Sequence, residues 1–307
     1  MNHRIAVIIP CYNEAGAIAG VVSDFRKALP ESVIYVYDNN SSDDTCFAAE
    51  QAGAVVRHEL RQGKGYVISR AFADIDADIY LMVDGDGTYD ASAAPAMVRF
   101  LVENKLDMVV GTRQANRSGK VYPKGHRFGN RMLTSTINVL FRNHLSDVLS
   151  GYRVFSRRFI KSFPTLAQGF EIEVKLTIYA LEMQLGCAEV PTRYGERAEG
   201  TVSKLNTYRD GCRILYTILS LFKEIRPFVF FGIISAILGF TSIGLAIPIL
   251  NEYLATGLVP RFPTAILSTG IMLAAAISLN CGIILETVTA KAREQKRLVY
   301  LGHPWKD

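Results

Sequence analysis

The sequence lacks the cysteine and histidine patterns of small metal-bound or disulfide-linked domains. Its five cysteines are scattered without a Cys-x-x-Cys pair, and its five histidines show no spacing typical of metal ligands. These patterns predict neither a zinc site nor a disulfide framework. A reducing compartment is therefore the simpler expectation.

A strong imbalance of charge is also absent. The 34 Lys and Arg residues slightly exceed the 29 Asp and Glu residues, and the formal net charge is +5. This weak basic excess does not indicate nucleic-acid binding, and it fits a surface that lies on anionic lipid or handles phosphates. No charged segment followed by a long apolar one precedes the apolar run at 5–9, so we expect no cleavable signal peptide.

Two long apolar runs lie near the C-terminus, at 228–250 and 264–285, and neither contains a charged residue. Each has about the 20 residues that a helix needs to cross a bilayer, although a pair of buried core helices would have a similar composition. Basic residues flank the pair on its outer sides, and the segment between the runs has Arg261 as its only basic residue. The positive-inside rule then predicts that both termini are cytoplasmic.

The N-terminal part of the chain alternates short apolar runs with stretches of helical spacing. Strands are predicted at 5–9, 33–37 and 79–83. This alternation predicts an α/β fold, with a mostly parallel sheet and helices on both faces. Ligands of such sheets bind beyond the carboxyl ends of the strands. Asp38 and Asp84 directly follow two of these strands, so we expect both carboxylates in one site.

The strongest local motif is Val83-Asp84-Gly85-Asp86-Gly87. An Asp-x-Asp at the end of an apolar strand brings two carboxylates close together. Such hard oxygen ligands suit Mg²⁺ or Mn²⁺, and a cation of this kind commonly bridges to a substrate diphosphate. The alternative is an ordinary acidic surface turn, and the strand context favours metal binding.

Three further polar segments follow strands or precede a helix. Pro10-Cys11-Tyr12-Asn13-Glu14 and the run from Asp38 to Thr45 follow the first two strands, where polar groups can hold a base and a ribose. Gln62-Gly63-Lys64-Gly65-Tyr66 precedes a helix, and its glycines allow backbone N–H groups to approach a phosphate. The spacing is neither that of a Walker loop nor that of a dinucleotide fingerprint, so this last segment alone indicates little more than a turn.

The order of these motifs resembles that of the family-2 inverting glycosyltransferases with the GT-A fold. Later segments extend the resemblance to the polyprenyl-phosphate hexose synthases, including dolichyl-phosphate mannose synthase and its bacterial glucosyl relatives. The resemblance covers about residues 4–206, and two C-terminal spans also occur in one branch of that group. The later segments are Gly111-Thr112-Arg113, Asp147 with Ser150-Gly151-Tyr152-Arg153, and Arg197 with Ser203-Lys204-Leu205.

The resemblance implies a role for each matching residue. The residues implied in nucleotide-sugar binding are Pro10, Tyr12, Glu14, Asp38, Asn40, Lys64, Asp84 and Gly85. Asp84 and Asp86 would hold Mg²⁺ or Mn²⁺. The residues implied in binding the acceptor phosphate are Arg113, Arg127, Arg131, Arg197 and Lys204. Asp86, Asp147 and Arg113 are the implied catalytic residues.

Some of these roles have alternatives. Arg127 and Arg131 would equally suit a solvated or lipid-facing helix surface. Asp147 lies either near the attacking oxygen or beside basic residues that it orients. Asp90 follows the Asp-x-Asp motif where many relatives carry a Gln and a Pro, and it is either an extra metal or sugar ligand or a helix cap.

The implied reaction is the inverting transfer of one hexose from a nucleotide-sugar to undecaprenyl or dolichyl phosphate. UDP is favoured over GDP, while the sugar and the final glycan stay open. One alternative is a non-catalytic nucleotide-sugar-binding scaffold in the membrane, and another is a transferase with a non-lipid acceptor. A processive synthase is disfavoured because its Gln-x-x-Arg-Trp motif is absent and the single tryptophan is Trp305.

The expected domain order combines the resemblance with the apolar runs. A cytoplasmic GT-A domain, with a Rossmann-like sheet, covers 1–206, and a transmembrane hairpin of two helices covers 227–290. An amphipathic helix on the membrane surface is expected between them at 207–226, although a core helix of the soluble domain would have the same pattern. Residues 291–307 form a basic cytoplasmic tail. The oligomeric state stays open, since paired spans leave room for packing between chains.

Overall fold

A computed structural model describes residues 3–115, 124–141, 145–164, 172–195 and 218–305, and it describes only the backbone of residues 115 and 124–131. The chain forms two compact units. The first contains Met1–Gly211 together with Gln295–Asp307, and the second contains Cys212–Glu294.

A seven-stranded sheet forms the centre of the first unit, with the strand order β3-β2-β1-β4-β6-β5-β7. Its strands are β1 Ile5–Cys11, β2 Val33–Asp38, β3 Val55–His58, β4 Ile79–Met82, β5 Met108–Ala115, β6 Arg153–Ser156 and β7 Cys187–Tyr194. All neighbouring pairs are parallel except the two that involve β6, which runs antiparallel to β4 and β5. The predicted α/β fold with a mostly parallel sheet is therefore confirmed.

Helices cover both faces of this sheet, as the alternation predicts. They are α1 Ala15–Ala28, α2 Thr45–Gln51, α3 Lys64–Asp74, α4 Ala94–Glu103, α5 Lys124–Phe141, α6 Arg157–Ser162 and α7 Ile172–Glu182. One core packs α3, α6 and α7 against the sheet, and the other packs α1 and α4 against the opposite face. In β1, Ala6 and Ile8 enter the first core while Val7 and Ile9 enter the second. This burial on both faces explains why the strand is a continuous apolar run.

Pro10 determines where the ladder between β1 and β4 ends. Pairing with β4 stops at Ile8, opposite Met82, whereas pairing with β2 continues to Cys11, opposite Asp38. Because Pro10 has no backbone N–H, it cannot extend the ladder towards β4. The chain after β4 therefore leaves the sheet at this point, and Asp84 lies in that segment.

Two long apolar helices follow in the second unit. Helix α8 spans Pro227–Thr256, and helix α9 spans Phe262–Leu301, of which the residues up to Glu294 belong to this unit. Both are long and apolar enough to cross a membrane. In the most apolar 18-residue stretch of each helix, only 6% (α8) and 11% (α9) of the stretch is buried. Buried core helices would not leave such surfaces exposed. Ser242 and Ser268 each donate a hydrogen bond to the other's carbonyl, at 2.8 and 3.0 Å. Small hydroxyl side chains of this kind allow close packing of helices in a membrane.

Candidate active site

Three strands bring the first candidate residues to one edge of the sheet. Cys11 and Asp38 are paired at the carboxyl ends of β1 and β2, and Asp84 follows β4 by two residues. Because β1, β2 and β4 are parallel, their carboxyl ends share one edge. The structure thus places Asp38 and Asp84 on the edge where the sequence predicts them.

Glu14, Asp84 and Asp86 form an acidic cluster around Gly85. A Cβ atom at Gly85 would lie against the Glu14 carboxylate and 2.6 Å from Cys11 Sγ, so the position has no space for a side chain. Glu14 Oε2 is buried without a hydrogen-bond partner among the described residues. Burial raises the pKa of Glu14 to about 8, and the charges of Asp84 and Asp86 contribute to this shift.

Among the described residues, Lys64 places a positively charged side chain next to this cluster. It is the first residue of α3, and its Nζ forms ion pairs with Asp84 Oδ1 and Glu173 Oε1. Burial disfavours the charged form of Lys64, but the two carboxylates outweigh burial and hold its pKa above the usual value. The ion pairs with Asp84 and Glu173 therefore favour the charged form of Lys64.

Sequence reasoning missed Glu173. It lies in the first turn of α7, which is apolar over most of its length, and its side chain is buried. A carboxylate inside an apolar helix is a recognisable signal, because buried acids are rare unless they have a partner. The partner, Lys64, lies 109 residues earlier in the chain and is visible only in the fold.

Asp86 and Asp90 have different local roles. Asp86 is buried, and its Oδ1 accepts hydrogen bonds from the Thr88 hydroxyl at 2.6 Å and the Thr88 N–H at 3.2 Å. Asp90 accepts a 2.9 Å hydrogen bond from the Ser92 N–H and caps the short 3₁₀ turn at Ala91–Ala93. Of the two alternatives for Asp90, the structure therefore shows the cap.

Arg113, on β5, and Asp147, in the loop before β6, form a bidentate ion pair. The Nε and Nη2 atoms of Arg113 donate to the two carboxylate oxygens of Asp147, each at 2.7 Å. Burial alone would raise the pKa of Asp147, but the hydrogen bonds from Arg113 outweigh burial and hold this pKa below its usual value. Of the two alternatives for Asp147, this geometry corresponds to the orientation of a basic residue.

Two further residues that sequence reasoning did not assign fix the loop that carries Asp147. Glu189 on β7 accepts hydrogen bonds from the Ser146 N–H at 2.9 Å and the Asp147 N–H at 3.2 Å. Arg153 on β6 is fully buried and donates to the carbonyls of Val148, at 2.7 Å, and Ser150, at 2.8 Å. The loop before β6 is therefore hydrogen-bonded to side chains of both β6 and β7.

Gly151, in the same loop, contacts the acidic cluster. A Cβ atom at Gly151 would lie 2.5 Å from Asp84 Oδ2, so a side chain there would displace the carboxylate. The Gly151 N–H donates to the Tyr89 hydroxyl at 2.9 Å. The loop that holds Asp147 thus also supports Asp84 directly.

The residues after β2 connect this strand to the loop before α3. Asn39 donates from Nδ2 to the carbonyls of Glu59 and Arg61, and its Oδ1 accepts a 2.6 Å hydrogen bond from the Gly63 N–H. Asn40 donates to the carbonyl of Leu60 at 2.8 Å. Through these contacts, the segment after Asp38 positions the Gly-Lys-Gly turn that starts α3.

The other residues predicted for the site lie on β1, beside its end, on α5 and at positions beyond the described part of the chain. Pro10 is buried in β1, and Tyr12 is exposed at the same edge of the sheet. Arg127 and Arg131 lie on α5, but their side chains are outside the described residues. Arg197 and Lys204 lie wholly outside the described residues.

The acidic cluster has the donor set of a site for a hard divalent cation. Asp84 and Glu173 form ion pairs with the ammonium group of Lys64, and the Glu14 carboxylate interacts electrostatically with Asp84, Asp86 and Lys64. Carboxylate oxygens are the ligands that Mg²⁺ and Mn²⁺ prefer, and such ions usually complete their coordination with substrate phosphates and water. The residues present, including the orphaned oxygen of Glu14, therefore fit such an ion.

One protein-family model matches the part of the chain that contains most strands of the sheet. The model of the family described as "Glycosyl transferase family 2" matches residues 6–163. The chain is similar to glycosyltransferase AglJ of Haloferax volcanii, with 31% identity over 296 residues that cover 96% of this chain and 97% of the relative. It is also similar to a dolichyl-phosphate hexose transferase of the same organism, with 27% identity over 222 residues that cover 72% of this chain and 95% of the relative.

Solved structures share the fold. Glucosyl-3-phosphoglycerate synthase of Mycobacterium tuberculosis, in complex with Mn²⁺, UDP-glucose and phosphoglyceric acid, aligns with a TM-score of 0.58 at 24% identity. The alignment covers 72% of this chain and 79% of the synthase. This likeness supports a GT-A-like arrangement of the sheet and helices.

Proposed function

Because this chain belongs to glycosyl transferase family 2, and is a glycosyltransferase, we propose that it transfers one hexose from a UDP-sugar to polyprenyl phosphate. The acceptor's phosphate oxygen forms a bond to the anomeric carbon while the bond from that carbon to the diphosphate breaks, with inversion. Transfer takes place at the cytoplasmic face of the membrane. The observation that carries the proposal is the acidic cluster of Asp84 and Asp86 beside Lys64, at the ligand-binding edge of a family-2 sheet.

In this proposal the donor diphosphate lies over the acidic cluster. Asp84 and Asp86 would hold Mg²⁺ or Mn²⁺, and the bound ion would supply positive charge beside the diphosphate. Lys64 lies at the start of α3, where the helix dipole and backbone N–H groups also attract phosphate. Pro10, Tyr12, Glu14, Asp38, Asn40 and Gly85 line the remainder of the nucleotide-sugar pocket. The M. tuberculosis synthase, which holds Mn²⁺ with UDP-glucose, supports a donor of this class.

The acceptor phosphate binds through guanidinium groups. Arg113 is fixed by Asp147 in a bidentate pair, and its planar fork suits a phosphate as well as a carboxylate. Arg127, Arg131, Arg197 and Lys204 contribute further positive charge. A phosphate monoester is already an anion near neutral pH, so the reaction depends on positioning and charge neutralisation more than on a general base.

The lipid acceptor is supported by two independent observations. Helices α8 and α9 are long and apolar enough to cross a membrane, and one relative is a dolichyl-phosphate hexose transferase. The flanking basic residues support cytoplasmic termini. Anchoring of this kind would keep the enzyme on the membrane that contains the polyprenyl lipid.

Binding of the donor tests the assignment of the acidic cluster. Purified full-length protein is titrated with UDP-sugars in the presence of Mn²⁺ or of EDTA, and the Asp86→Asn variant is compared with Asp24→Asn, a control on the exposed face of α1. We expect tight binding that requires the cation, a loss of at least about ten-fold in Asp86→Asn and no loss in Asp24→Asn. Equal binding by all three proteins would contradict the assignment. Cation-dependent binding without transfer to any acceptor would instead favour the scaffold alternative.

A further inference from the structure

Asp38, Cys46 and His58 bring a carboxylate, a thiol and an imidazole together, although they are separated in sequence. Asp38 ends β2, His58 ends β3, and Cys46 lies in the first turn of α2. Asp38 and His58 are direct partners in the parallel ladder of β2 and β3, which accounts for their proximity. One potential ligand atom from each of the three side chains lies within 4.8 Å of the other two.

The carboxylate of Asp38 is the centre of this group. It is almost completely buried, and its Oδ2 lies 3.5 Å from Nδ1 of His58. Burial and the negative charge of the Asp38 carboxylate raise the pKa of Cys46 to about 11. The His58 side chain is 60% exposed, so the group can be reached from solvent.

We propose that Asp38, Cys46 and His58 form a binding site for a thiophilic divalent cation of the zinc class. Thiolate, imidazole and carboxylate are the three ligand types that zinc takes in proteins, and an open site leaves the fourth position to water. Neighbouring ligands of tetrahedral zinc lie roughly 3.4 Å apart, so side-chain movements of about 1 Å would complete the site. The cation replaces the thiol proton, which leaves to solvent.

This site differs in chemistry from the carboxylate pair of Asp84 and Asp86. Mg²⁺ and Mn²⁺ prefer oxygen ligands and do not select a cysteine, whereas a soft thiolate favours zinc and its analogues. The two sites should therefore respond to different metals. Because Asp38 also belongs to the proposed nucleotide pocket, a zinc-class cation would compete with the nucleotide, and this consequence rests on the proposed function.

The test is a titration of the purified full-length protein with Co²⁺, a spectroscopic substitute for zinc, in excess Mg²⁺. We expect one equivalent to bind and to produce the thiolate-to-cobalt charge-transfer band. Cys46→Ser should abolish this band, and His58→Gln should weaken Co²⁺ binding at least about ten-fold. The matched controls are Cys281→Ser and His303→Gln, which should behave as the unchanged protein. Thermal unfolding of each variant verifies that it is folded.

Two results would overturn the site: absence of the charge-transfer band, or a band that survives Cys46→Ser. Addition of UDP after cobalt separates the site from the proposed function. We expect UDP to decrease the band, because both ligands need Asp38. A band that appears as expected but does not respond to UDP would leave the cation site in place and contradict the nucleotide-binding role of Asp38.

Discussion

The hydroxyl of Tyr300, near the end of α9, donates a 3.0 Å hydrogen bond to the carboxylate of Asp107, directly before β5. Arg158 also donates to this carboxylate, and its guanidinium lies 5.0 Å from the ring centres of both Tyr300 and Trp305. Residues 295–305 therefore pack against the α/β unit at the amino end of β5, on the edge of the sheet opposite the candidate site. Residues 295–305 thus belong to the α/β unit, a contact that the predicted basic tail at 291–307 does not specify.

Tyr300→Phe should destabilise the α/β unit by about 1–2 kcal/mol, because Asp107 is buried and loses a hydrogen bond to a charged group. Urea unfolding of the detergent-solubilised protein measures this change. Tyr253→Phe is the matched control, since Tyr253 is exposed on α8. Equal stability of the two variants would show that the Tyr300–Asp107 hydrogen bond does not stabilise the unit.

Gly151→Ala should decrease transfer at least about ten-fold while the protein stays folded, because the new methyl group displaces the Asp84 carboxylate. Gly20→Ala provides the control. Gly20 lies inside α1 with open space around it, so alanine there should leave activity unchanged and stabilise the helix by up to about 1 kcal/mol. Normal activity of Gly151→Ala would contradict the close contact between this loop and Asp84.

The Arg113–Asp147 pair should make stability depend on pH in the acidic range. The pKa of Asp147 is lower in the folded state than its usual value of about 4, so the folded protein binds fewer protons there than the unfolded chain. The stabilisation is fully present above about pH 4 and is lost as the pH falls through the lower folded pKa. Asp147→Asn should flatten the acid slope of the unfolding free energy, and the exposed Asp24→Asn should not. An unchanged slope in Asp147→Asn would contradict the ion pair.

Glu189→Gln should raise the KM for the acceptor more than the KM for the donor. Glu189 accepts hydrogen bonds from the backbone N–H groups of Ser146 and Asp147. Because Asp147 in turn binds Arg113, the loss of these bonds should misplace the Arg113 guanidinium. Steady-state kinetics with each substrate varied in turn measures the two values. Glu103→Gln at the end of α4 is the matched control. An equal change in both KM values would indicate a general loss of structure, and not a positioning role for Glu189.

The sequence predicts those parts of the fold that depend on local pattern. The continuous apolar run of β1 predicts a strand buried on both faces, and the position of Asp84 after β4 predicts its place at the ligand-binding edge; both agree with the structure. The antiparallel direction of β6, in contrast, depends on its neighbours β4 and β5 and not on its own residues.

Contacts between distant residues were not predictable in this way. Lys64 meets Glu173 across 109 residues, and Tyr300 meets Asp107 across 193 residues. Local periodicity carries no information about such pairs, because it specifies which face of an element is buried and not which side chain lies opposite. The Asp38, Cys46 and His58 group illustrates the same limit, since the cysteine and histidine spacing alone indicates no metal ligands.

Transfer of label to lipid tests the central claim most directly. Purified full-length protein in detergent is incubated with Mn²⁺, a panel of radiolabelled UDP- and GDP-sugars, and either polyprenyl phosphate, unphosphorylated polyprenol or 3-phosphoglycerate. We predict that label from one UDP-sugar enters the organic phase only with polyprenyl phosphate, and that EDTA abolishes the transfer. Label that stays in the aqueous phase with every donor, while a nucleotide-sugar still binds, would contradict transfer to a lipid phosphate.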